Sequence, residues 1–307
     1  MAKIAEQLGR DKILVTGGAG FIGSHIADAV SDAYSVTVYD NFNSGARRHV
    51  PDCAEVIEAD IRNKQRLNKA VAQADTVFHQ AAQVGVTQSV QNPVESHATN
   101  LDPLLTILEA VRGTDTRVVF ASSAAIYGNP EYTPIDEAHP KTPTAPYGLE
   151  KLSADHYCRL YHERYSVEAV ALRYFNVYGP RQQAGDYSAV ISILSEQALN
   201  ENTLTIHGDG TQTRDFVHVE DIVQANLRAA TEDGVSGRAF NIGTGKQTSI
   251  NDLADIIKQI TNSDSEVSHV DAREGDIDQS VADISHAQKY LNYVPKYDIE
   301  TGLLDCL

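Results

Sequence analysis

Two hydrophobic patterns alternate through the first half of this chain, and their order constrains the fold more than any other feature. Short apolar, β-rich segments predict strands at residues 12–16, 35–40, 54–59, 76–79, 117–122 and 169–173. The segments between them predict helices at residues 22–30, 64–72, 100–111 and 147–165. Strands that alternate with helices in this way form βαβ units. We therefore predict an α/β fold with a doubly wound parallel sheet and helices on both of its faces.

The first strand-to-helix turn contains three glycines, in the segment KILVTGGAGFIGSH. Gly17, Gly20 and Gly23 leave bare backbone, which lets a pyrophosphate approach a helix amino terminus where free N–H groups favour negative charge. Asp40 ends the second predicted strand, where a carboxylate accepts hydrogen bonds from ribose hydroxyls. No arginine lies directly beside Asp40 to receive a 2′-phosphate. The turn therefore predicts a dinucleotide site that favours NAD over NADP.

The pattern becomes less regular after Arg173, where RYFNVYGPRQ contains a Gly-Pro break. Later segments predict helices at 189–199, 221–230 and 251–261 and strands at 203–207 and 239–242. We predict an NAD-binding domain over residues 1–176, with returning segments near 217–245. A smaller, interwoven C-terminal substrate domain is predicted over 177–216 and 246–307.

Charge and composition narrow the choice of partners. The 307 residues include 42 acidic and 25 basic side chains, for a net charge of −17. Such a surface repels phosphates, so we expect neither nucleic acid nor an anionic membrane as a partner. The chain starts without a signal-peptide-like apolar core, and no run approaches the ~20 apolar residues of a membrane helix. Cys53, Cys158 and Cys306 lack metal-ligand spacing, so we predict a cytoplasmic protein with reduced thiols and no metal site.

Tyr147 and Lys151 are four residues apart and therefore share one face of a predicted helix. A free phenol has a pKa of about 10. A nearby ammonium, together with the positive ring of a nicotinamide cofactor, stabilises the phenolate, and bringing that pKa to about 7 takes about 4 kcal/mol. Ser122 and Ser123 end the fifth strand, where ligands bind in open α/β sheets, and because they alternate in direction only one should face the site. Alone, these motifs also fit an ordinary helix surface and a turn.

The motifs occur in order with HQAAQVG at residues 79–85 and RYFNVYGPR at residues 173–181. Together they resemble the extended short-chain dehydrogenase/reductases, and most of all the nucleotide-sugar 4-epimerases of the UDP-glucose 4-epimerase type. The resemblance covers residues 13 to about 291 and implies a Rossmann-type fold, tightly bound NAD, a UDP-sugar substrate and a homodimer formed through the helices near 100–111 and 147–165. It departs at Asn292, where the family usually has glycine.

The resemblance also implies roles for individual residues. Tyr147 would be the base and acid, Lys151 its partner on the nicotinamide ribose, and Ser123 a hydrogen-bond partner of the substrate. The implied cofactor contacts are Gly17, Gly20, Phe21, Ile22, Gly23, Asp40, Asn41, Asp60, Ile61, Gln80, Ala81, Ala82, Asn100, Tyr147 and Lys151. The implied substrate contacts are Ser123, Tyr147, Asn176, Val190, His207, Arg214, Arg273, Asp276 and Ser280.

Two features favour one activity within the family. Sugar 4,6-dehydratases typically have an Asp-Glu pair where this chain has Ala124 and Ala125, so the acid and base for water elimination are missing. Ser280 occupies a position that resembles a gate, where a small residue leaves room for an N-acetyl group at sugar carbon 2. We therefore expect a UDP-hexose 4-epimerase that acts on UDP-glucose and UDP-galactose, and on UDP-GlcNAc and UDP-GalNAc.

Two alternatives stay open from the sequence. The loop GVTQS at residues 85–89 has no arginine to recognise a sugar carboxylate, which disfavours a UDP-glucuronate epimerase or decarboxylase without excluding either. A non-catalytic nucleotide-sensing module on the same fold is the second alternative. It is disfavoured because Tyr147 and Lys151 are both present.

Overall fold

The computed structural model describes residues 2–182, 190–272 and 275–307. Its strands are β1 (Lys12–Thr16), β2 (Ser35–Asp40), β3 (Glu55–Glu58), β4 (Thr76–His79), β5 (Arg117–Ser123), β6 (Glu168–Tyr174), β7 (Asn176–Tyr178), β8 (Leu204–His207), β9 (Thr213–Arg214), β10 (Phe216–His218), β11 (Ala239–Ile242), β12 (Thr248–Ser249) and β13 (Val267–Val270). Its helices are α1 (Ala2–Ala5), α2 (Phe21–Ser31), α3 (Lys64–Val71), α4 (Val86–Gln91), α5 (Pro93–Asn100), α6 (Asp102–Ala110), α7 (Pro146–Tyr165), α8 (Val190–Leu199), α9 (Val219–Thr231), α10 (Ile250–Thr261), α11 (Ser285–Leu291) and α12 (Ile299–Leu304). Short 3₁₀ helices lie at Arg47–His49 and Ala124–Ile126.

Seven strands form one parallel sheet in the order β3-β2-β1-β4-β5-β6-β11. The strand order reverses between β1 and β4, because β2 and β3 lie on one side of β1 and the later strands lie on the other. Open parallel sheets bind ligands at the carboxyl ends of the strands beside such a reversal. The prediction of a doubly wound, Rossmann-type α/β fold is confirmed.

Both faces of this sheet are buried, which explains why its strands are almost continuously apolar. Val15 of β1 lies in one core cluster together with residues of α2 and α9. Leu14, the preceding residue, lies in a second cluster together with residues of α3, α6 and α7. Successive side chains of a strand point to opposite faces, so one strand supplies both cores.

Most predicted elements are confirmed, but the single helix predicted at 100–111 is wrong. The structure has α5 ending at Asn100 and α6 starting at Asp102, with Leu101 between them. Pro103 has no N–H to donate to the preceding turn, and proline suits the first turn of a new helix. The leucines at 101, 104, 105 and 108 follow helical spacing, so their pattern predicts one continuous helix and does not show this break.

The second half adds small sheets that fix the later segments. Strand β10 pairs with β7, β12 with β9, and β13 with β8. Of these six strands, the sequence predicts only β8, at 203–207; the other five have two to four residues each and are not predicted. Asn292 caps α11 with a φ of 50°. Asparagine tolerates this left-handed conformation, so α11 can end here in the same way with Asn292 as with the family's usual glycine.

Candidate active site

The glycine-rich turn lies between β1 and α2, beside the point where the strand order reverses. Gly17 has a φ of +69°, and a Cβ added there would lie 2.7 Å from the backbone nitrogen of Ala81. A Cβ added at Gly23 would lie 2.1 Å from the carbonyl oxygen of Gly17. Gly20 is the N-cap of α2 and offers no side-chain cap. The turn therefore presents bare backbone at a helix amino terminus, which fits a pyrophosphate.

Asp40 supports this turn from the end of β2. Its carboxylate accepts hydrogen bonds from the N–H of Ala19 at 3.0 Å and the N–H of Phe42 at 2.8 Å. Asn41 follows it and accepts from the N–H of Asn43. Phe21 and Ile22, at the start of α2, are half-buried. Asp40, the residue predicted to accept hydrogen bonds from the ribose, thus also fixes the conformation of the glycine-rich turn.

Asp60 lies at the turn after β3 and forms an ion pair with Arg62. Its two carboxylate oxygens accept from Nε of Arg62 at 2.9 Å and from a terminal guanidinium nitrogen at 2.7 Å. These hydrogen bonds lower the pKa of Asp60 and keep it charged. Ile61 is buried in the core beside α3. Of these two predicted cofactor contacts, Asp60 is accessible and Ile61 packs inward.

The segment after β4 carries the remaining predicted cofactor residues. The side chain of Gln80 donates to Oδ1 of Asn226 on α9 at 3.1 Å, and the N–H of Ala81 donates to the hydroxyl of Thr16 at 3.3 Å. Ala82 is half-buried. Asn100 is 1% exposed, and its side chain hydrogen-bonds both main-chain groups of Gln83. Asn100 is therefore a clamp on this loop.

Helix α7 places Tyr147 and Lys151 on its buried face, 8% and 2% exposed. The Lys151 ammonium donates to the carbonyl of Ala121 in β5 at 2.7 Å and lies 5.8 Å from the centre of the Tyr147 ring. Ser123 ends β5 and hydrogen-bonds the Tyr147 phenol. Its hydroxyl also accepts from the N–H of Ala125. The three predicted catalytic residues thus meet at the carboxyl end of β5.

Burial dominates the titration of this pair. It raises the pKa of Tyr147 to about 12, an effect that the hydrogen bond from Ser123 opposes and the Glu150 carboxylate reinforces. Burial also lowers the pKa of Lys151 to about 8, while Glu150 opposes that shift. The spacing of Tyr147 and Lys151 predicts that the ammonium and a positive nicotinamide ring together lower the pKa of the phenol. Within the protein itself, the loss of hydration outweighs the hydrogen bond from Ser123 and raises that pKa instead.

Ser122 and Ser123 point in different directions, as predicted from strand alternation. The Ser122 hydroxyl donates to Asp155 at 3.3 Å. Asp155 in turn accepts two hydrogen bonds from the guanidinium of Arg173 in β6, at 2.9 Å and 3.0 Å. Both charged side chains are 5% exposed. Ser122 is therefore part of a buried ion-pair network, and Ser123 is left to the site.

Three of the predicted substrate contacts lie at β9 and in the segment before α11. Arg214 of β9 forms an ion pair with Asp276. Ser280 is 7% exposed, and its N–H donates to the carbonyl of Thr213 at 3.2 Å. Arg273, another predicted substrate contact, lies outside the described residues. The structure therefore groups Arg214, Asp276 and Ser280.

The other predicted substrate residues are spread over three elements. Asn176 starts β7 and donates its N–H to the carbonyl of Asp215 at 3.0 Å. Val190 starts α8 and is half-buried. His207 ends β8, with Nδ1 3.1 Å from the carbonyl oxygen of Asp271.

Main-chain hydrogen bonds join the Ser280 segment to the loop that follows Ser123. The N–H of Ile135 donates to the carbonyl of Val281, and the N–H of Asp283 donates to the carbonyl of Ile135, both at 2.8 Å. The segment that carries Asp276 and Ser280 is thereby fixed to the loop leaving the catalytic strand.

Asp215 is a site-forming residue that the sequence analysis missed. It is fully buried, and its carboxylate accepts from the N–H groups of Thr244, Gly245 and Ala282 at 2.7, 3.0 and 3.1 Å. It thus fixes two later segments directly behind Arg214. The only local sign of this role is one acidic residue directly before the largely apolar segment FVHV. The sequence does not show that such an acid is buried.

Within residues 2–182, 190–272 and 275–307, no three His, Cys, Asp or Glu side chains are grouped so that they could hold a metal ion. No helix in this part of the chain combines the length and apolar character needed to cross a membrane.

The parallel sheet, the glycine turn and the buried Tyr-Lys pair are the features of a Rossmann-type enzyme with a dinucleotide site. The chain belongs to the NAD dependent epimerase/dehydratase family, whose model matches residues 13–243. It is similar to UDP-glucose 4-epimerase from Thermotoga maritima, solved with UDP-glucose, at 37% identity and a TM-score of 0.90 over 95% of this chain and 96% of that one. It is also similar to UDP-N-acetylglucosamine 4-epimerase from Methanobrevibacter ruminantium, at 37% identity and a TM-score of 0.92 over 96% of both chains. A third relative, UDP-N-acetyl-alpha-D-glucosaminuronate decarboxylase of Bacillus cytotoxicus, is 32% identical over 97% of both chains. The chain is therefore an NAD-dependent nucleotide-sugar epimerase by family.

Proposed function

We propose that this protein is a UDP-hexose 4-epimerase that interconverts UDP-glucose with UDP-galactose and UDP-GlcNAc with UDP-GalNAc through a transient 4-keto sugar. The observation that supports this activity most is the buried group of Tyr147, Lys151 and Ser123 at the carboxyl end of β5. It lies on a sheet whose glycine turn has the geometry of a dinucleotide site. Ala124 and Ala125 follow Ser123 without an acid-base pair, which argues against a dehydratase.

The residues of this chain fit NAD. Positions 17 and 23 leave no room for a Cβ, so the turn can keep its bare backbone only with glycine. We assign the pyrophosphate to the turn from Gly17 to Gly23 and the adenosine ribose to Asp40. The remaining assigned contacts are Phe21, Ile22, Asn41, Asp60, Ile61, Gln80, Ala81, Ala82, Asn100, Tyr147 and Lys151. Held by these residues, NAD would supply the site with a hydride acceptor, and in its reduced form a hydride donor, for sugar carbon 4.

Tyr147 supplies the proton chemistry in this proposal. Its phenolate takes the proton of the sugar 4-hydroxyl and returns a proton when the centre has inverted. Ser123 hydrogen-bonds the same phenol and favours its charged form. The Lys151 ammonium lies close enough to stabilise that charge. Because burial, reinforced by Glu150 and opposed by the Ser123 hydrogen bond, raises the pKa of Tyr147 to about 12, the working phenolate depends on positive charge nearby.

Residues from the C-terminal half of the chain would hold the UDP group and leave the hexose free to rotate. We assign the diphosphate to Arg214 and Arg273, since a guanidinium forms paired hydrogen bonds with phosphate oxygens. Asp276 then accepts from the ribose of the nucleotide, and Ser280 leaves space at sugar carbon 2. Asn176, Val190 and His207 complete the proposed contacts. Binding concentrated on the nucleotide suits an intermediate that must rotate about its diphosphate tether.

Decarboxylation of a UDP-uronate is the second candidate, and the similarity to the B. cytotoxicus decarboxylase favours it. The loop at 85–89 offers no arginine for a carboxylate. Product analysis separates the candidates: purified protein is incubated with UDP-glucose, UDP-GlcNAc and UDP-glucuronate. We expect the 4-epimers of the first two and no carbon dioxide from the third. Carbon dioxide release, or a 4-epimer from UDP-glucuronate alone, would overturn the proposed substrate.

Replacing two of the glycines tests the proposed cofactor turn. Gly23→Ala forces a methyl group against the Gly17 carbonyl and should lower the free energy of unfolding by about 2 kcal/mol or more. Gly20→Ala has a permitted φ of −81°, and its Cβ comes no closer than 3.3 Å to Gly17. It should cost less than about 1 kcal/mol in stability and still weaken NAD binding about tenfold, because the methyl group lies where the pyrophosphate approaches. Urea unfolding and the NAD dissociation constant measure the two effects; a Gly20→Ala variant with unchanged NAD affinity would contradict the assignment.

We also propose that the chain forms a homodimer through α6 and α7 and acts in the cytoplasm. Leu149 and Leu160 on α7 are 56% and 42% exposed, and a cavity of about 540 Å³ lies between α5 and the start of α7. These features support burial of a second surface in a dimer, and light scattering tests this by measuring the mass of the protein in solution.

The division into an NAD-binding domain over 1–176 and a substrate domain over 177–216 and 246–307 stays a prediction.

A further inference from the structure

Glu150 is a buried carboxylate on α7, between the two proposed catalytic residues. It is 5% exposed. One oxygen, Oε2, accepts hydrogen bonds from the Ser96 hydroxyl at 2.7 Å and from Nδ2 of Asn100 at 2.8 Å. Both partners are on α5 and are themselves buried. Burying a carboxylate is costly unless it is hydrogen-bonded, and here it is held by two donors.

The same contacts connect Glu150 to the loop that follows β4. Asn100 uses its remaining polar groups on Gln83, accepting from the Gln83 N–H at 2.8 Å and donating to the Gln83 carbonyl at 3.1 Å. This loop continues from Gln80, Ala81 and Ala82, which we assign to the cofactor. Glu150 therefore orients Asn100, and Asn100 fixes the main chain beside the proposed NAD site.

Glu150 also acts on Lys151 through its charge. Burial favours the neutral amine of Lys151, and the negative charge of Glu150 favours the ammonium. The same charge opposes ionisation of Tyr147. One carboxylate thus raises the pKa of both members of the pair.

The other charged groups around Lys151 do not replace this effect. His79 of β4 is buried, and its pKa is lowered to about 3, so it is neutral. Asp155 of α7 and Arg173 of β6 neutralise each other in their ion pair. Helix α4 has no charged side chain. On α5 and α6 the charged groups lie at exposed or half-buried positions, namely Glu95, His97, Asp102 and Glu109.

We propose that Glu150 is a positioning residue that, through Asn100, holds the Gln83 loop against the cofactor, and that its buried negative charge acts on the neighbouring Tyr147 and Lys151. The inference rests on the proposed epimerase function. It predicts two separable consequences, because one depends on the charge of the carboxylate and the other on its hydrogen bonds.

Glu150→Gln tests the charge. The amide keeps an oxygen that accepts from Ser96 and Asn100, while the negative charge is lost. Without that charge Lys151 loses its proton, and Tyr147 ionises, at lower pH. Both limbs of the pH profile of kcat/KM should therefore move to lower pH, by about one unit, with NAD content unchanged. Glu163→Gln is the matched control, since Glu163 lies on the same helix, is exposed and should leave the profile in place.

Glu150→Ala tests the hydrogen bonds. It removes the carboxylate acceptor of Asn100 and Ser96 as well as the charge, which leaves Asn100 held less firmly, so NAD should dissociate at least tenfold faster than from Glu150→Gln. In a Lys151→Arg background, where the side chain stays protonated, Glu150→Gln should move only the acid limb.

An unchanged pH profile in Glu150→Gln, or equal NAD dissociation from the Gln and Ala variants, would overturn the inference. A wild-type protein that epimerises no UDP-sugar would instead overturn the proposed function. The NAD dissociation rates would still test whether Glu150 and Asn100 hold the Gln83 loop in place.

Discussion

Tyr147→Phe is expected to lower kcat by about three orders of magnitude while leaving NAD bound. The substitution keeps the ring that packs on the buried face of α7 and removes only the hydroxyl that we assign to proton transfer, and a positioned acid-base group contributes roughly 10²–10⁴-fold to a rate. The main-chain N–H of Tyr147, which donates to the Ser89 hydroxyl at 3.2 Å, is unaffected. Turnover of UDP-glucose and the ratio of bound NAD to protein are the two measurements.

The matched control is Tyr165→Phe, at the last residue of the same helix. Tyr165 is 42% exposed and lies outside the proposed site. The control variant should retain wild-type kcat and NAD content. Near-normal turnover by Tyr147→Phe would contradict the catalytic assignment, and loss of NAD together with activity would show that the phenol is needed for the fold of the site instead.

Arg173→Met is expected to reduce the free energy of unfolding by about 3–5 kcal/mol, because it leaves Asp155 as a buried charge without its partner. The guanidinium also donates to the Tyr127 hydroxyl at 2.9 Å and to the Glu137 carbonyl at 3.2 Å, and both contacts are lost with it. Urea unfolding followed by circular dichroism measures the loss.

Two further variants show whether the buried charge is the cause. Arg159 and Glu163 form an exposed pair on α7 at 3.7 Å, so Arg159→Met should cost no more than about 0.5 kcal/mol. The double variant Arg173→Met with Asp155→Leu removes the stranded charge and should recover part of the stability lost by Arg173→Met. A loss below about 1 kcal/mol for Arg173→Met would mean that the pair does not stabilise the packing of α7 on β6.

The central sheet could be predicted from the sequence because its strands follow a strong local rule. Strands β1, β2, β4 and β11 start and end where the sequence analysis placed them. A parallel strand covered on both faces must be apolar throughout, and each is bounded by turn residues. The glycine turn was equally readable, since only glycine avoids the clashes at positions 17 and 23.

The features that the sequence did not predict depend on contacts between distant segments. Strand β13 has four exposed residues and exists because it pairs with β8, about sixty residues earlier in the chain. Asp215 and Glu150 look like ordinary surface acids in the sequence. Their burial follows from the backbone N–H groups and the α5 side chains that the fold brings to them. For the same reason the raised pKa of Tyr147 could not be read from its spacing to Lys151, because burial sets it.

The most direct test of the central claim follows a deuterium atom placed at carbon 4 of UDP-glucose. If Tyr147 moves only the hydroxyl proton and the hydride leaves and returns within one active site, the product UDP-galactose retains the deuterium at carbon 4 in ordinary water, with no net accumulation of NADH. Replacement of that deuterium by solvent hydrogen would contradict the account, because carbon 4 would then exchange its hydrogen as a proton.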